Sequence, residues 1–187
     1  MNGVTGIVLA GGQGRRMGTV DKGLQLLHGK PMVAAVLARL APQVDEILIN
    51  ANQNLAAYES FGHRVVPDAI GGFAGPLAGL HAGLAAAKHP LVLTAPCDSP
   101  FLPLDLLSRL KNAIKDNDLA VAKTGDQPHP VFALVRGTVR QNLEDFLSGG
   151  GRKIDAWYAS LRVIEVLFDD EAEAFRNINT REELNSA

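Results

Sequence analysis

The sequence predicts one α/β domain, a mostly parallel twisted sheet flanked by helices, and three observations carry that prediction. Short β-rich apolar runs alternate with stretches of helical spacing. The runs are nearly continuous in hydrophobicity, as strands buried on both faces of a parallel sheet are. A glycine-rich loop follows the first run directly, where a βαβ unit places its connection.

Taken in order, GIVLA (6–10) is the first strand and PMVAAVLARLA (31–41) a helix with Pro31 in its first turn. EILINA (46–51) and HRVV (63–66) are strands. PLAGLHAGLAAA (76–87) carries Leu77, Leu80, Leu84 and Ala87 at helical spacing. PLVLTA (90–95) is a strand, and PLDLLSRLKNAI (103–114) a helix with Leu106, Leu107, Leu110 and Ile114 on its apolar side. DLAVA (118–122) adds another strand, giving a doubly wound arrangement. The last third is less regular: HPVFALVRG (129–137) and SLRVIEVLF (160–168) read as strands, and VRQNLEDFL (139–147) as a helix. Ser148-Gly149-Gly150-Gly151 ends that helical pattern as a loop rather than an interdomain linker. There is no internal repeat and no low-complexity tract.

Composition bounds the function. Eighteen basic residues against twenty acidic ones give a net charge of −2, which excludes a general nucleic-acid or membrane-surface binder. No apolar run approaches the roughly 20 residues needed to span a bilayer. The single cysteine, Cys97, permits no intrachain disulfide and suits a reducing compartment. The N-terminus lacks a basic n-region, so no signal peptide is expected and the cytoplasm is the expected location.

Residues 9–22, LAGGQGRRMGTVDK, begin where the first strand ends, the end at which open α/β sheets bind ligands. The loop is not a dinucleotide fingerprint, because Met17 stands at the third glycine position and Gly18 comes one residue late. It is not a P-loop either. The only Gly-Lys pair, Gly29-Lys30, has Leu24 at the upstream glycine position and Pro31 after it. Gly11, Gly12 and Gly14 permit close backbone approach, and their N–H groups can cradle phosphate oxygens. Arg15, Arg16 and Lys22 supply the cations that a polyphosphate needs, which favours a phosphate site over a solvated turn.

Asp98 ends the strand LVLTAPC and is placed either to hold a divalent cation or to cap the Ser99-Pro100 turn. Asp68 follows HRVVP at another strand end. Asn50, at the end of EILI, is either an amide that reads a base or ribose, or a turn former. IGGFAGPLAG (70–79) is a second glycine-rich loop that enters a helix, whose N-terminus favours anions. Cys97 and His81 read as packing residues, and Trp157 and Tyr158 as core. His129 lies between two prolines. Arg152 and Lys153 divide evenly between a solvated loop and contact with a phosphate.

LAGGxGxRMGxxDK, spanning Leu9 to Lys22, resembles the signature of the molybdenum cofactor guanylyltransferases, within the wider nucleotidyltransferases. The resemblance continues through Asn50, Asp68, Gly75-Pro76-Leu77-Ala78-Gly79, Cys97-Asp98-Ser99-Pro100 and Asn177-Ile178-Asn179-Thr180, in the family's order and over nearly the whole chain. It implies a single Rossmann-like nucleotidyltransferase domain over 1–187, with a GTP and Mg half (1–125) and a molybdopterin-side half (126–187). It implies GMP transfer from GTP to the terminal phosphate of molybdopterin (Mo-molybdopterin), with release of pyrophosphate.

Carried over residue by residue, Arg16, Lys22 and Asp98 are the implied catalytic residues, with Asp98 as the metal ligand. Leu9, Ala10, Gly11, Gly12, Lys22, Asn50, Asp68, Gly75, Pro76, Gly79, Asp98, Asn177 and Asn179 are the implied binding residues. The implied ion is Mg²⁺, with Mn²⁺ as its substitute. Implied partners are GTP, molybdopterin, other proteins of molybdenum cofactor biosynthesis and acceptor molybdoenzymes. The rivals are a cytidylyl- or sugar-phosphate nucleotidyltransferase of the same fold, and a non-catalytic nucleotide- or cofactor-binding adaptor. Relatives that use CTP tend to carry Ala-Ala-Gly where this chain has Ala10-Gly11-Gly12, and the smaller residue 11 leaves room for a purine.

Overall fold

Strand β1 (Val4–Leu9) is buried over nearly its whole length because it lies inside the sheet, with a neighbour on each side, and its one polar side chain, Thr5, donates to Glu46 Oε2 at 2.7 Å. The computed structural model describes residues 3–12, 21–71, 75–178 and 183–184. Within them, a seven-stranded sheet runs β5 (Arg64–Val66), β4 (Glu46–Asn50), β1, β6 (Leu91–Pro96), β8 (Gln127–Arg136), β7 (Leu119–Thr124), β9 (Val163–Leu167). The first four strands are mutually parallel, and β8 runs antiparallel to β6 and β7. β9 pairs parallel with β7 at the edge.

Alternation along each strand serves two cores. Val8, Ile49, Leu93 and Leu134 face one, beneath α1 (Met32–Leu40) and α4 (Leu106–Ile114). Ile7, Leu48, Val92, Ala133 and Val135 face the other, beneath α3 (Pro76–Ala86) and α5 (Arg140–Ser148). Because side chains of a strand point to alternate faces, a sheet covered on both sides needs apolar residues at every position. The continuous runs in the sequence have that cause.

α3 is buried from Leu77 through Leu84, since it lies against both the sheet and α5. Gly79 and Gly83 face β1. A β-carbon at Gly83 would come within 1.9 Å of Ile7 Cδ1, and one at Gly79 within 2.8 Å of Leu9 Cδ2. The missing side chains let the helix approach the strand closely.

The predicted strands and long helices all form, with ends shifted by up to three residues. α4 starts at Leu106 instead of 103, after a turn through Leu104 and Asp105. Besides short 3-10 turns, elements without a sequence signal include a hairpin of β2 (Leu26–Leu27) and β3 (Lys30–Pro31), α2 (Leu55–Glu59) and α6 (Ile154–Tyr158). Each of these strands and helices is five residues or shorter, too little to establish a period. Ser148 is the last residue of α5, so the expected loop begins one residue later, at Gly149; it passes through Gly150 at φ +89° and joins α5 to α6. No described helix is long and apolar enough to cross a membrane.

Candidate active site

The strand register aligns four chain ends. Leu9 of β1 is paired with Asn50 of β4 on one side and Pro96 of β6 on the other, and Asn50 is paired with Val66 of β5. Two residues beyond each of these lie Gly11, Asn52, Asp98 and Asp68. The residues of interest therefore form one row across the carboxyl edge of the sheet. Asp68 and Asp98 stand near its two ends, three strand spacings or about 14 Å apart. The ends of β1 and its neighbours are tied, since Ala10 N–H donates to Asn50 O at 2.8 Å and Cys97 N–H to Leu9 O at 3.1 Å.

At one end of the row, Lys22 Nζ lies 3.4 Å from Asp98 Oδ2, across 76 residues of sequence. The Asp98 side chain is only 12% exposed, and among the described residues Lys22 is its one side-chain partner. Cys97, just before it, is buried, and burial pushes its thiol well above the usual thiol range. A protonated thiol is no nucleophile, so Cys97 is a packing residue.

At the other end, Asn50 is buried, and its amide donates both to Val66 O at 3.1 Å and to Asp68 Oδ1 at 2.8 Å. Asn52 Nδ2 donates to Asp68 Oδ2 at 3.0 Å and to Gly11 O at 3.3 Å, while its Oδ1 accepts from Asp68 N–H at 2.8 Å. Asp68 is thus held by two amides, and the glycine loop is laced to the same network. A β-carbon at Gly11 would come within 2.8 Å of both Asn50 Oδ1 and Asn52 Nδ2. Glycine here leaves room for those amides.

Gly75 opens α3 with φ +59° and ψ −143°, backbone that a side chain resists, and Pro76 fills the first helical position. Asn177 is brought from the C-terminal segment to this edge, where its Oδ1 accepts from Ser99 Oγ–H. Arg16 and Asn179 lie outside the described residues.

A family model for the MobA-like NTP transferase domain matches residues 6–163, which include this whole row. The chain belongs to that family. A protein of Cupriavidus necator named molybdenum cofactor guanylyltransferase is 56% identical over 97% of this chain and 94% of its own. One of that name from Ralstonia nicotianae is 52% identical over 97% and 94%. The crystal structure of molybdopterin-guanine dinucleotide biosynthesis protein A from Archaeoglobus fulgidus superposes with TM-score 0.79 at 27% identity, covering 97% and 95%. The chain is accordingly a nucleotidyltransferase, and the resemblance carried by the glycine loop holds over nearly its full length.

Within this MobA-like frame the other candidates resolve into packing. Trp157 is fully buried and donates to Asn142 Oδ1 at 2.7 Å, and Tyr158 donates to Pro130 O at 2.6 Å. Arg152 caps the end of α5 through Leu147 O at 2.8 Å. His129 stacks on Phe175 at 4.6 Å. His81 is buried, with Nε2 3.6 Å from Glu144 Oε2. Among the described residues, no three His, Cys, Asp or Glu side chains gather into a metal cluster. Asn52 and Tyr58 belong to the site's structure without having been singled out in the sequence, and Asp21 and Ser99 enter there only as members of motifs, with no role given to them. Only the repeated placement two residues past a strand end marks Asn52.

Proposed function

We propose that this chain transfers the guanylyl group of GTP to the terminal phosphate of molybdopterin, releasing pyrophosphate and forming the guanine dinucleotide cofactor. The observation that carries this reading is near-full-length identity above 50% to proteins named molybdenum cofactor guanylyltransferase. The Lys22–Asp98 pair at the carboxyl edge of the sheet supports it.

A phosphate monoester has a second pKa near 6, so the attacking phosphate is already mostly ionised at neutral pH. The site then needs no general base. It needs charge neutralisation and alignment of the attacking oxygen with the leaving pyrophosphate. In this reading the backbone of residues 9–12 holds the nucleotide at the end of β1, and Lys22 and Arg16 oppose the charge on the triphosphate. The N-terminus of α3, capped by Gly75 and opened by Pro76, which has no N–H of its own, would turn the N–H groups of Gly75 and of the residues after Pro76 toward the nucleotide, and Gly79 admits Asn50 beneath it. Asn50 and Asp68 face the nucleoside.

An Mg²⁺ ion takes hard oxygen ligands, commonly one or two carboxylates completed by phosphates and water. Asp98 fits: a shielded carboxylate whose contact with Lys22, at 3.4 Å, is longer than the 2.7–2.9 Å of a close charged pair. Bound there, the ion would neutralise phosphate charge; Mn²⁺ has the same ligand preference. The lone carboxylate implies that the substrate completes the coordination. Residues 1–125 then form the GTP and Mg²⁺ side. Residues 126–187, with Asn177 and Asn179, form the molybdopterin side, where acceptor molybdoenzymes and other proteins of the biosynthesis would meet the product in the cytoplasm.

The test is pyrophosphate release from GTP, CTP and ATP with Mg²⁺, with and without molybdopterin. Release from GTP that requires molybdopterin is expected. Release from CTP alone would assign the base wrongly, and no release from any nucleotide would leave a binding adaptor.

A further inference from the structure

Asp21, the carboxylate just before Lys22, is satisfied on both oxygens. Its Oδ1 accepts from the Tyr58 hydroxyl, and its Oδ2 accepts from Asn54 Nδ2 at 3.0 Å. Both donors come from α2 and its N-cap, on the connection that leaves β4. Tyr58 is fully buried, and burial holds its phenol in the protonated, donating form. Asn54 sits at φ +52°, a left-handed conformation that asparagine tolerates better than most residues.

The residue on the other side of Lys22 is equally fixed. A β-carbon at Gly23 would come within 2.6 Å of the Tyr58 hydroxyl and 3.2 Å of Cys97 Cβ. Asp21 and Gly23 are therefore both seated on Tyr58, and Gly23 also rests on the residue preceding Asp98. Lys22, between them, reaches Asp98 at 3.4 Å.

We propose that Asp21, held by Tyr58 and Asn54, is a positioning residue that fixes the backbone of Lys22 so that its ammonium meets both Asp98 and the phosphates of the bound nucleotide. The proposal rests on the guanylyl transfer reading above. A lysine carries its charge on a flexible four-carbon stem, so the direction of its ammonium depends on how firmly its backbone is held. An apolar anchor would seat the turn, whereas a carboxylate with two directed donors also fixes its orientation.

The test pairs two substitutions with a lysine background. Asn54→Gly removes one donor and keeps the positive φ, and Tyr58→Phe removes the other donor at the cost of a buried partner. Turnover of GTP with Mg²⁺ and molybdopterin is measured for each, alone and combined with Lys22→Ala. Each single substitution is expected to lower kcat about 10-fold while KM changes less than about threefold, the cost of a misplaced group. In the Lys22→Ala background the same substitutions should lower the residual kcat by less than about twofold, because the element they position is gone. Equal losses in both backgrounds, or no loss in either single variant, would overturn the clamp.

A wild-type chain inactive on GTP would count against the transfer reading, and the clamp is then judged without turnover. The ¹³C signal of reductively methylated Lys22, assigned by its absence in Lys22→Ala, should move toward that of exposed lysines in Asn54→Gly. An unmoved signal overturns the clamp.

Discussion

The backbone N–H of Ile178 donates to the carbonyl of Asp98 at 2.9 Å, which ties the C-terminal segment to the residue at the end of β6. Next to this bond, Ser99 Oγ–H donates to Asn177 Oδ1. The Ile178 side chain is 1% exposed and packs with Leu27 of the hairpin and Met32 of α1. The tail therefore joins the element that follows Lys22 to the element that carries Asp98. Ile178→Ala should cost about 2–4 kcal/mol, as deletion of a buried aliphatic side chain does. Urea unfolding measures it, and a cost below about 1 kcal/mol would show that the tail is not packed as described.

The Lys22–Asp98 contact itself should matter far more to turnover than to stability. Asp98→Asn keeps the shape and removes the charge, and turnover should fall at least about 100-fold, as when a preorganised charge partner is removed. A single partly exposed pair contributes on the order of 1 kcal/mol or less, so the thermal midpoint should move by less than about 4 °C. Wild-type turnover in a folded Asp98→Asn protein would remove Asp98 from the chemistry.

Much of this was legible in sequence, and the parts that were not have a common cause. Continuous runs such as PLVLTA reveal strands because both sheet faces are covered, and Asp98 and Asp68 stand out because each closes such a run. Asn52 does not stand out, and Asp21 appears only as a position of the glycine-loop signature, with no role attached. The importance of Asn52 comes from the level ends of β1, β4, β5 and β6, a matter of register between strands that no local period encodes, and that of Asp21 from Tyr58 and Asn54, 37 and 33 residues away in sequence. Ser99 and Asn177 meet across 78 residues, and Tyr58 lies on a helix of five residues. Asn50 was visible as a strand-end amide, but the burial that commits both its N–H groups to Val66 and Asp68 was not.

His129 makes stability depend on pH. Burial lowers its pKa below the ordinary 6.5, and the ring stacks on Phe175 while Nε2 meets Thr124 Oγ1 at 2.7 Å. The unfolded chain, with the higher pKa, binds the proton more readily than the folded one, so acid favours unfolding. The contribution is complete above pH 6.5 and is lost as the pH falls below it. Thermal midpoints measured from pH 7.5 to 5.5 should therefore decline, and His129→Phe, which keeps a ring against Phe175, should flatten that decline. An identical pH slope in the variant would assign the effect elsewhere.

Two glycines of α3 separate packing from nucleotide binding. A β-carbon at Gly83 would strike Ile7 Cδ1 at 1.9 Å, the free end of a flexible side chain. One at Gly79 would come within 2.2 Å of Asn50 Oδ1, on an amide already tethered to Val66 O and Asp68. Both Gly→Ala changes overpack the interface with β1 and should cost about 1–3 kcal/mol. Only Gly79→Ala displaces the amide that orients Asp68. If Asn50 and Asp68 hold the nucleoside, losing one such charge-assisted contact should weaken GTP binding about tenfold or more. Gly83→Ala, matched for stability loss, should leave the Kd for GTP within about threefold of wild type, because its disturbance relaxes into Ile7. Calorimetric titration of the two proteins decides the matter: equal Kd values would detach Asn50 and Asp68 from the nucleotide and leave their network a purely structural tie between β4 and β5.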